Sequence, residues 1–376
     1  MANSNTNFKE FTENQDLAVK VYFEHQKNSD VWTLHPQKEI EVVSNEDDLQ
    51  MSLASVSEEA INRAEQGLLI KIPGMGLYPL RETAWKGLLD RARVSGNSLT
   101  RIDSELLADL LTQCTQVYKN DVRFLIRDEM ITAVVSGDET DYKVLPIYDL
   151  FLAVEEELNK RFSGFKFERG YTDYTYTSLS WALPGQRDEI IGDYIKHLLA
   201  TGWRKHMTDK IMPGVMFQSS DTGVSSVKIS TFLQTGAKSY IRIGSAISMD
   251  HRNNSSIEEF KKRLEGMFAK MQETVEDLNK LLDIKIKYPV SAMQNVCDFL
   301  KVPKKPAAEA INMYQVTIGD QPDTAHGIFM AMQEILYNMK VNNTSMCKIL
   351  QIEEDITRCI KLNWSKYDYP SRKVEV

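Results

Sequence analysis

The clearest pattern in the chain is a run of strand-like segments followed by a long amphipathic segment. Between residues 214 and 248, apolar and polar residues alternate, with the turn-like stretches DTG and TGAKS between the runs. This alternation predicts an antiparallel meander of three strands. Ser256 and Glu259 then have capping-box spacing, and apolar residues recur at helical spacing up to Leu282. We expect this helix to cover one face of the meander and to leave the other free for a ligand.

Similar patterns predict the remaining elements. Helical periodicity predicts a helix starting near Ser57 and helices over residues 80–93, 103–118, 146–161, 187–201, 290–301, 306–316, 323–339 and 351–363. Runs of β-branched and aromatic residues predict strands at 68–73 and 165–185 and a tight hairpin of 123–127 with 130–136. The predicted fold class is α+β, an antiparallel β-meander followed by a long amphipathic helix, with flanking helical regions.

The same patterns divide the chain into four regions. They are a partly ordered N-terminal segment (1–50), an acidic α/β region (51–162), a core of meander plus long helix (163–283) and a helical C-terminal domain (284–376).

Composition narrows the class of protein. The chain has 376 residues, of which 42% are hydrophobic and 26% charged, as in an ordinary folded protein rather than a disordered one. Its four cysteines include no CxxC pair, so we expect neither a disulfide framework nor a zinc site. The N-terminus lacks a signal-peptide pattern, and no apolar run approaches 18 residues. These features predict a cytoplasmic protein without membrane contact.

Charge is distributed unevenly. Residues 1–159 carry 15 Lys and Arg against 28 Asp and Glu, whereas residues 160–263 carry 16 against 10. A basic middle therefore follows an acidic front, although the whole chain has a net charge of −8.

Catalytic and cofactor motifs are weak or absent. The sequence contains neither nucleotide-binding glycine motif, and Gly74-Met75-Gly76 is better explained as a turn. Cys114 lies on an apolar helical stripe, where a buried thiol is expected to be inert. An enzymatic alternative rests on Asp250-His251 alone, because a His beside an Asp can act as a base or ligand. We therefore predict no catalytic residue, no metal and no cofactor.

The strongest functional signal combines cations with aromatic rings in the basic middle. Cations can neutralise phosphates while exposed rings stack on unpaired bases. This pairing predicts a single-stranded nucleic-acid site, provided that the side chains converge and the rings are not simply core residues. The candidate residues are Lys160, Arg161, Lys166, Arg169, Tyr171, Tyr174, Trp203, Arg204, Lys205, Lys228, Lys238 and Arg242, with His206 and Lys210 close by in sequence.

Several stretches resemble a phage- and plasmid-related family, the domain of unknown function number 932. They are GLYPLRETAWKGLLDRARV, LLADLLTQC, RFLIRDEMITAVVSGDETDYKVLPIYDLFLAVEEEL, PGVMFQSSDTGVSSVKISTFL and SMDHR, and the similarity spans roughly residues 70–340. The resemblance implies a mobile-element origin in the company of DNA-processing genes. It supplies no catalytic residues.

Two functional hypotheses follow. The first is a non-enzymatic single-stranded DNA-binding or annealing accessory protein of a phage or mobile element, assembled as a homo-oligomer. The order of three strands and a helix is similar to that of phage annealing proteins, at the level of fold. The second is a structural or protein-interaction component of a phage or defence system. It would bind a protein partner through the acidic N-terminal region and helical tail, without nucleic acid.

Overall fold

The structure, a computed structural model, describes residues 8–45, 56–235, 240–253, 255–319, 321–342, 344 and 346–370. These residues form an α+β protein, as the sequence predicts, and the strands of each sheet pair antiparallel. The strands are β1 (Lys9–Phe11), β2 (Val31–Pro36), β3 (Glu41–Ser44), β4 (Leu68–Ile72), β5 (Gly76–Pro79), β6 (Asp121–Arg127), β7 (Met130–Ser136), β8 (Lys166–Thr172), β9 (Thr177–Ala182), β10 (Met212–Ser219), β11 (Val227–Gln234), β12 (Tyr240–Met249), β13 (Lys285–Ile286) and β14 (Asp323–Thr324). The helices are α1 (Asp16–Ser29), α2 (Glu58–Asn62), α3 (Glu82–Ala92), α4 (Ser104–Gln116), α5 (Ile147–Arg161), α6 (Arg187–Ala200), α7 (Lys205–Thr208), α8 (Ile257–Ala269), α9 (Met271–Lys280), α10 (Pro289–Leu300), α11 (Lys304–Thr317), α12 (Ala325–Val341) and α13 (Met346–Arg358).

The largest sheet has six strands in the order β1-β8-β9-β10-β11-β12. Its last three strands are the predicted meander. Helices α5, α6, α8 and α9 contact one face, which we call the helix face. On this face, the ring of Trp181 lies 6.0 Å from Phe151 of α5, and that of Phe217 lies 6.2 Å from Phe260 of α8. These buried rings belong to a continuous apolar core.

The predicted amphipathic helix is present as two consecutive helices, α8 and α9. The Ser256 hydroxyl accepts from the Glu259 amide at 3.1 Å, as the capping box predicts. The chain departs from helical geometry at Lys270, where φ is −99° and ψ is 1°. Apolar periodicity continues across this residue, so the pattern alone does not reveal the break.

The N-terminal part contains two three-stranded sheets, β2-β6-β7 and β3-β4-β5. An isolated parallel bridge between Leu80 and Ile131 connects them, and α3 and α4 pack with them around a second apolar core. The predicted hairpin is present as β6 and β7. Its two turn residues, Asp128 and Glu129, have φ values of 49° and 61°, the left-handed conformation that a two-residue type I′ turn requires.

The expectation of partial order for residues 1–50 does not describe residues 8–45. These residues form β1, α1, β2 and β3, and β1 joins the six-stranded sheet. Val19 and Phe23, four residues apart on α1, are buried against the large core. The many polar residues of the segment lie on exposed faces, which obscured this apolar stripe in the sequence.

The C-terminal part is mainly helical, as predicted. Helices α10 to α13 pack together, and the short strands β13 and β14 pair beside them. Phe329 and Trp364 are fully buried there and are part of the same core as the helix face of the large sheet.

Candidate nucleic-acid interface

Strand register brings five of the predicted site residues to the face of the six-stranded sheet opposite the helix face, here called the second face. Directly paired residues project to the same side of a sheet, and alternate residues along a strand share a face. The three rows across the sheet are Lys166–Ala182–Gly214–Phe232–Arg242, Arg169–Ser180–Met216–Ser230 and Tyr171–Ser178–Gln218–Lys228–Ser248. Lys166, Arg169, Tyr171, Lys228 and Arg242 therefore share this face, although they come from three strands. Lys166, at the exposed start of β8, lies four strands from Arg242 on β12.

The second face is not free, in contrast to the expectation from the sequence. Helix α13 packs across β12, and its Glu353 places Oε2 3.5 Å from Nη1 of Arg242. The neighbouring Glu354 lies 3.7 Å from Nζ of Lys228. Arg242 and Glu353 are both buried, with 3% and 5% of their surfaces exposed. Alternation predicts a sheet with one face left uncovered by the long helix, but a second covering helix more than a hundred residues away leaves no mark on that local pattern.

A cation–aromatic stack lies beside this ion pair. The Arg169 guanidinium carbon lies 4.3 Å from the centre of the Tyr240 ring, and Nζ of Lys340 in α12 lies 5.6 Å from the same centre. Both cations are thus within range of an attractive cation–π interaction. Lys340 lies on an apolar helix that is distant in sequence, so no local pattern connects it with this face.

Burial sets the ionisation of the charged groups between the sheet and α13. It raises the pKa of Glu353, although the nearby charges of Arg242 and Lys340 oppose this shift. Burial also lowers the pKa of Lys340, and Glu353 opposes that shift. Each partner therefore favours the ionised form of the other, against the cost of removing both from water.

A second group of cations is exposed where β8 and β10 begin. The group contains Arg161 at the end of α5, Lys166 at the start of β8, and Arg204, Lys205 and Lys210 on the segment that enters β10. We call these five residues the basic end. Within the part of the chain that the structure describes, none of the five has an ion pair with an acidic side chain.

Hydrogen bonds hold together the loops that carry the basic end. The Gln186 amide donates to the hydroxyl of Ser163 at 3.0 Å, which connects the approach to β8 with the loop after β9. Arg187 donates through Nε to the carbonyl of Ile211 at 2.9 Å and through Nη2 to that of Thr208 at 2.8 Å. The entries to β8 and β10 are thus fixed at the same end of the sheet.

Two other predicted cations belong to neither group. Lys160 is engaged on α5, where its Nζ lies 2.8 Å from Glu156 and 2.7 Å from Glu157. Lys238 lies outside the described residues.

The predicted aromatic residues are used mainly for packing. Tyr171 lies 5.7 Å from the ring of Tyr176, and the Trp203 ring lies edge-on to His326 at 6.0 Å. Tyr174 donates its hydroxyl to Asp128 at 2.7 Å, and the Arg81 guanidinium carbon lies 3.6 Å from its ring centre. All three candidate rings are partly buried. The geometry thus offers less ring surface for base stacking than the sequence suggested.

A crevice lies between the two parts of the molecule and was not predicted. It has a volume of about 170 Å³ and lies between α1, the β6–β7 turn and the β8–β9 turn. Arg127 lines it and binds Asp30 through Nε and Nη2 at 2.7 and 2.6 Å, with Asp221 at 2.8 Å from Nη2. Burial lowers the pKa of Arg127, but the bonds and charges of the two aspartates outweigh burial and raise it. Its position in the apolar run RFLIR was the signal for a buried, paired arginine.

His251, the residue behind the enzymatic alternative, is packed rather than exposed. Its ring stacks on Tyr142 at 5.4 Å with an interplanar angle of 5°, and Nδ1 lies 3.3 Å from the carbonyl oxygen of Lys143. Burial lowers the pKa of His251, which favours the neutral imidazole. Asp250 is exposed. The neutral ring therefore contributes packing to the loop that follows β12.

Metal-binding clusters and membrane-spanning helices are not found in the described part of the chain. Among its residues, no group of three or more His, Cys, Asp or Glu side chains is placed to hold a metal ion. In the same part of the chain, no helix combines the length and the apolar character needed to cross a bilayer.

Comparisons with known proteins give no identification. No family model, no curated protein and no solved structure matches the chain. The resemblance to the phage- and plasmid-related family stays a prediction.

Proposed function

We propose that this chain is a non-enzymatic single-stranded DNA-binding protein that contacts the nucleic-acid backbone through the basic end. One observation carries the proposal. Five exposed cations, Arg161, Lys166, Arg204, Lys205 and Lys210, lie near the entries to two strands of one sheet without acidic partners among the described side chains. Cations arranged in this way can each neutralise a phosphate and release its counterions.

Backbone contact would dominate over base stacking. Phe162, Phe165 and Trp203 lie close in sequence to the five cations, but each packs partly on the apolar core. Their remaining exposed edges can support a base, at less than the roughly 1–3 kcal/mol of a fully available ring. We therefore expect weak sequence preference and strong salt dependence.

Fluorescence anisotropy with a labelled oligothymidylate tests the proposal. The doubly substituted protein Lys166→Glu/Lys210→Glu should bind at least about tenfold more weakly than the unsubstituted protein at 100 mM salt, because two phosphate contacts become repulsive. Lys86→Glu/Lys119→Glu is the matched control, since both lysines are exposed in the acidic N-terminal part and give the same change in charge. No binding at 50 mM salt, or an equal loss in both proteins, would refute the proposal.

The wider assignment follows the same reasoning. An annealing or accessory role in a phage or mobile element, in the cytoplasm and as a homo-oligomer, fits a protein that binds backbone without strong sequence preference. It is supported by the family resemblance and by the strand-strand-strand-helix order. Light scattering with and without oligonucleotide would test the oligomer.

Strand β2 supports the second candidate function, binding of a protein partner through the acidic N-terminal region. Among the described strands it pairs only with β6, so its other edge is available for strand addition. Val31 and Leu34 on this strand are 44% and 50% exposed. A partner that co-purifies with the unsubstituted protein but not with Leu34→Lys would favour this function, and equal recovery would count against it.

A further inference from the structure

We propose that the second face of the six-stranded sheet contains a phosphate-binding site centred on Arg242, beneath α13. This proposal goes beyond the proposed function, because it concerns buried residues that do not belong to the basic end. It rests on the hydrogen-bonding state of Arg242, on the hydroxyls near it and on the balance of charge.

The guanidinium of Arg242 is incompletely bonded. Its Nη1 lies 3.5 Å from Glu353, at the limit of a hydrogen bond, while the buried Nε and Nη2 have no partner among the described residues. A buried guanidinium N–H group without a hydrogen-bond partner costs desolvation free energy, so native proteins rarely contain one. Arg242 therefore has two N–H groups with which to bind an acceptor.

The free N–H groups are those that bind an oxyanion side-on. In the same chain, Arg127 uses its Nε and Nη2 to hold both carboxylate oxygens of Asp30, at 2.7 and 2.6 Å. A tetrahedral phosphate presents pairs of oxygens to the same fork. Arg242 thus offers to a ligand the edge that Arg127 offers to an internal carboxylate.

Hydroxyl groups lie on the same side of the sheet. Arg242 pairs with Phe232, and Ser230 lies two residues from Phe232, so Ser230 projects from the second face as well. The Ser230 hydroxyl is buried and has no partner among the described side chains, and the same is true of the Tyr176 hydroxyl. Burial raises the pKa of Tyr176; the charge of Glu353 raises it further, and that of Arg242 lowers it. Both hydroxyls can turn to donate to a phosphate oxygen.

Charge balance also favours an anion. The charges of four cations lower the pKa of the buried Glu353, against the effect of burial. They are Arg169, Lys228, Arg242 and Lys340. The neighbouring Glu354 is shared between Lys228 and Arg358, at 3.7 and 2.7 Å. Cations therefore outnumber acids here, and an oxyanion would offset the desolvation of Arg242. The phosphate could come from solution or from the end of a DNA strand.

Isothermal titration calorimetry with inorganic phosphate, at constant ionic strength set by sodium chloride, tests the site. Phosphate should bind the unsubstituted protein, and Glu353→Gln should bind it about tenfold more tightly, because the competing carboxylate of α13 is removed. Arg242→Gln should lose the binding. Glu258→Gln on α8, which packs on the helix face, gives the same change in charge and should behave like the unsubstituted protein.

If Arg242→Gln fails to fold, the comparison of Glu353→Gln with Glu258→Gln still tests the site. A misfolded Glu353→Gln protein would not bind phosphate more tightly than the unsubstituted protein. Absence of phosphate binding in all proteins, or equal affinity in Glu353→Gln and Glu258→Gln, would overturn the site. Displacement of phosphate by a 5′-phosphorylated oligonucleotide, but not by its 5′-hydroxyl form, would identify a strand end as the source; otherwise the ligand is free phosphate. Lys166→Glu/Lys210→Glu should bind phosphate with the affinity of the unsubstituted protein. The phosphate site and the DNA contact at the basic end are therefore tested independently.

Discussion

At the scale of single residues, buried arginines have contrasting environments. Arg127 binds Asp30 and Asp221 through Nε and Nη2, and so connects α1 and the β10–β11 connection to the β6–β7 hairpin. Arg242 has one distant carboxylate and free N–H groups. Since a buried charge is tolerated when it is paired and fully hydrogen-bonded, we interpret Arg127 as a structural residue. Arg242, by the same criterion, is interpreted as a binding residue.

Neighbouring carboxylates on α5 should respond to pH in opposite directions. Burial, reinforced by the charge of Asp16, raises the pKa of Glu155 to about 7. Between about pH 4.5 and pH 7, Glu155 is therefore protonated in the folded protein and ionised in the unfolded chain. The stability that this carboxyl contributes is lost as the pH rises through that range. Glu155→Gln should raise the free energy of unfolding at pH 8 by about 1 kcal/mol, reduced from the full linkage value by solvent screening, and should have little effect near pH 4.5.

Glu156 is the matched control for that measurement. Hydrogen bonds from Lys160 and Lys261 lower its pKa to about 2, so its stabilisation is present above the ordinary carboxyl pKa and is lost as the pH falls toward 2. Glu156→Gln should therefore lower stability equally at pH 5 and pH 8. Urea midpoints at pH 4.5 and 8 for Glu155→Gln, and at pH 5 and 8 for Glu156→Gln, check the two variants, and parallel pH profiles for the two glutamine proteins would contradict the assignment.

At the scale of elements, local patterns predicted most helices and strands, because apolar spacing directly reports the buried side. The β6–β7 hairpin and the meander were found in this way. The position of α13 could not be predicted in this way, because its contact with Arg242 is made by Glu353, which is 111 residues away in the sequence. The same reason limited the site prediction. The sequence grouped Arg169, Lys228 and Arg242 in one basic segment, but could not show that they share a face of the sheet or that this face is covered.

A glycine in β12 makes the packing of that strand against α9 testable. Gly244 has φ of +72°, and a Cβ atom there would lie 2.6 Å from Cγ2 of Thr274. Gly244→Ala should destabilise the protein by about 2 kcal/mol, through backbone strain and the clash together. Adding Thr274→Ser removes Cγ2 and should recover the part due to the clash. Urea denaturation measures both steps.

The control for this prediction is a glycine in a helix with open surroundings. A Cβ atom added at Gly266 in α8 would meet no heavy atom of the described residues within 4 Å, apart from its own helix backbone and its chain neighbours. Gly266→Ala should therefore stabilise the protein by about 0.5–1 kcal/mol, as expected for alanine in a helix interior. A loss of stability at Gly266 similar to that at Gly244 would show that strand packing is not the cause.

At the scale of the whole molecule, the basic residues of the middle segment divide into two groups with different surroundings. One group is exposed at the basic end, and the other lies between the six-stranded sheet and α13, where Arg242 is buried and Arg169 and Lys228 are partly buried. The two N-terminal sheets pack with α3 and α4 around a separate core. Net charge along the sequence located the basic segment but could not separate these groups, because register and burial decide which cations reach solvent.

Salt dependence distinguishes the two groups in solution. If all five cations of the basic end contact single-stranded DNA, the logarithm of the association constant should fall with the logarithm of salt concentration with a slope of about −3.5, at about −0.7 per phosphate. Lys210→Gln should reduce the magnitude of the slope by about 0.7. Lys228→Gln should leave it unchanged, because Lys228 is only 25% exposed and lies beside Glu354 of α13. Anisotropy titrations between 50 and 200 mM salt measure all three slopes. An equal reduction for Lys210→Gln and Lys228→Gln would mean that DNA reaches the second face, and would place the nucleic-acid site there instead of at the basic end.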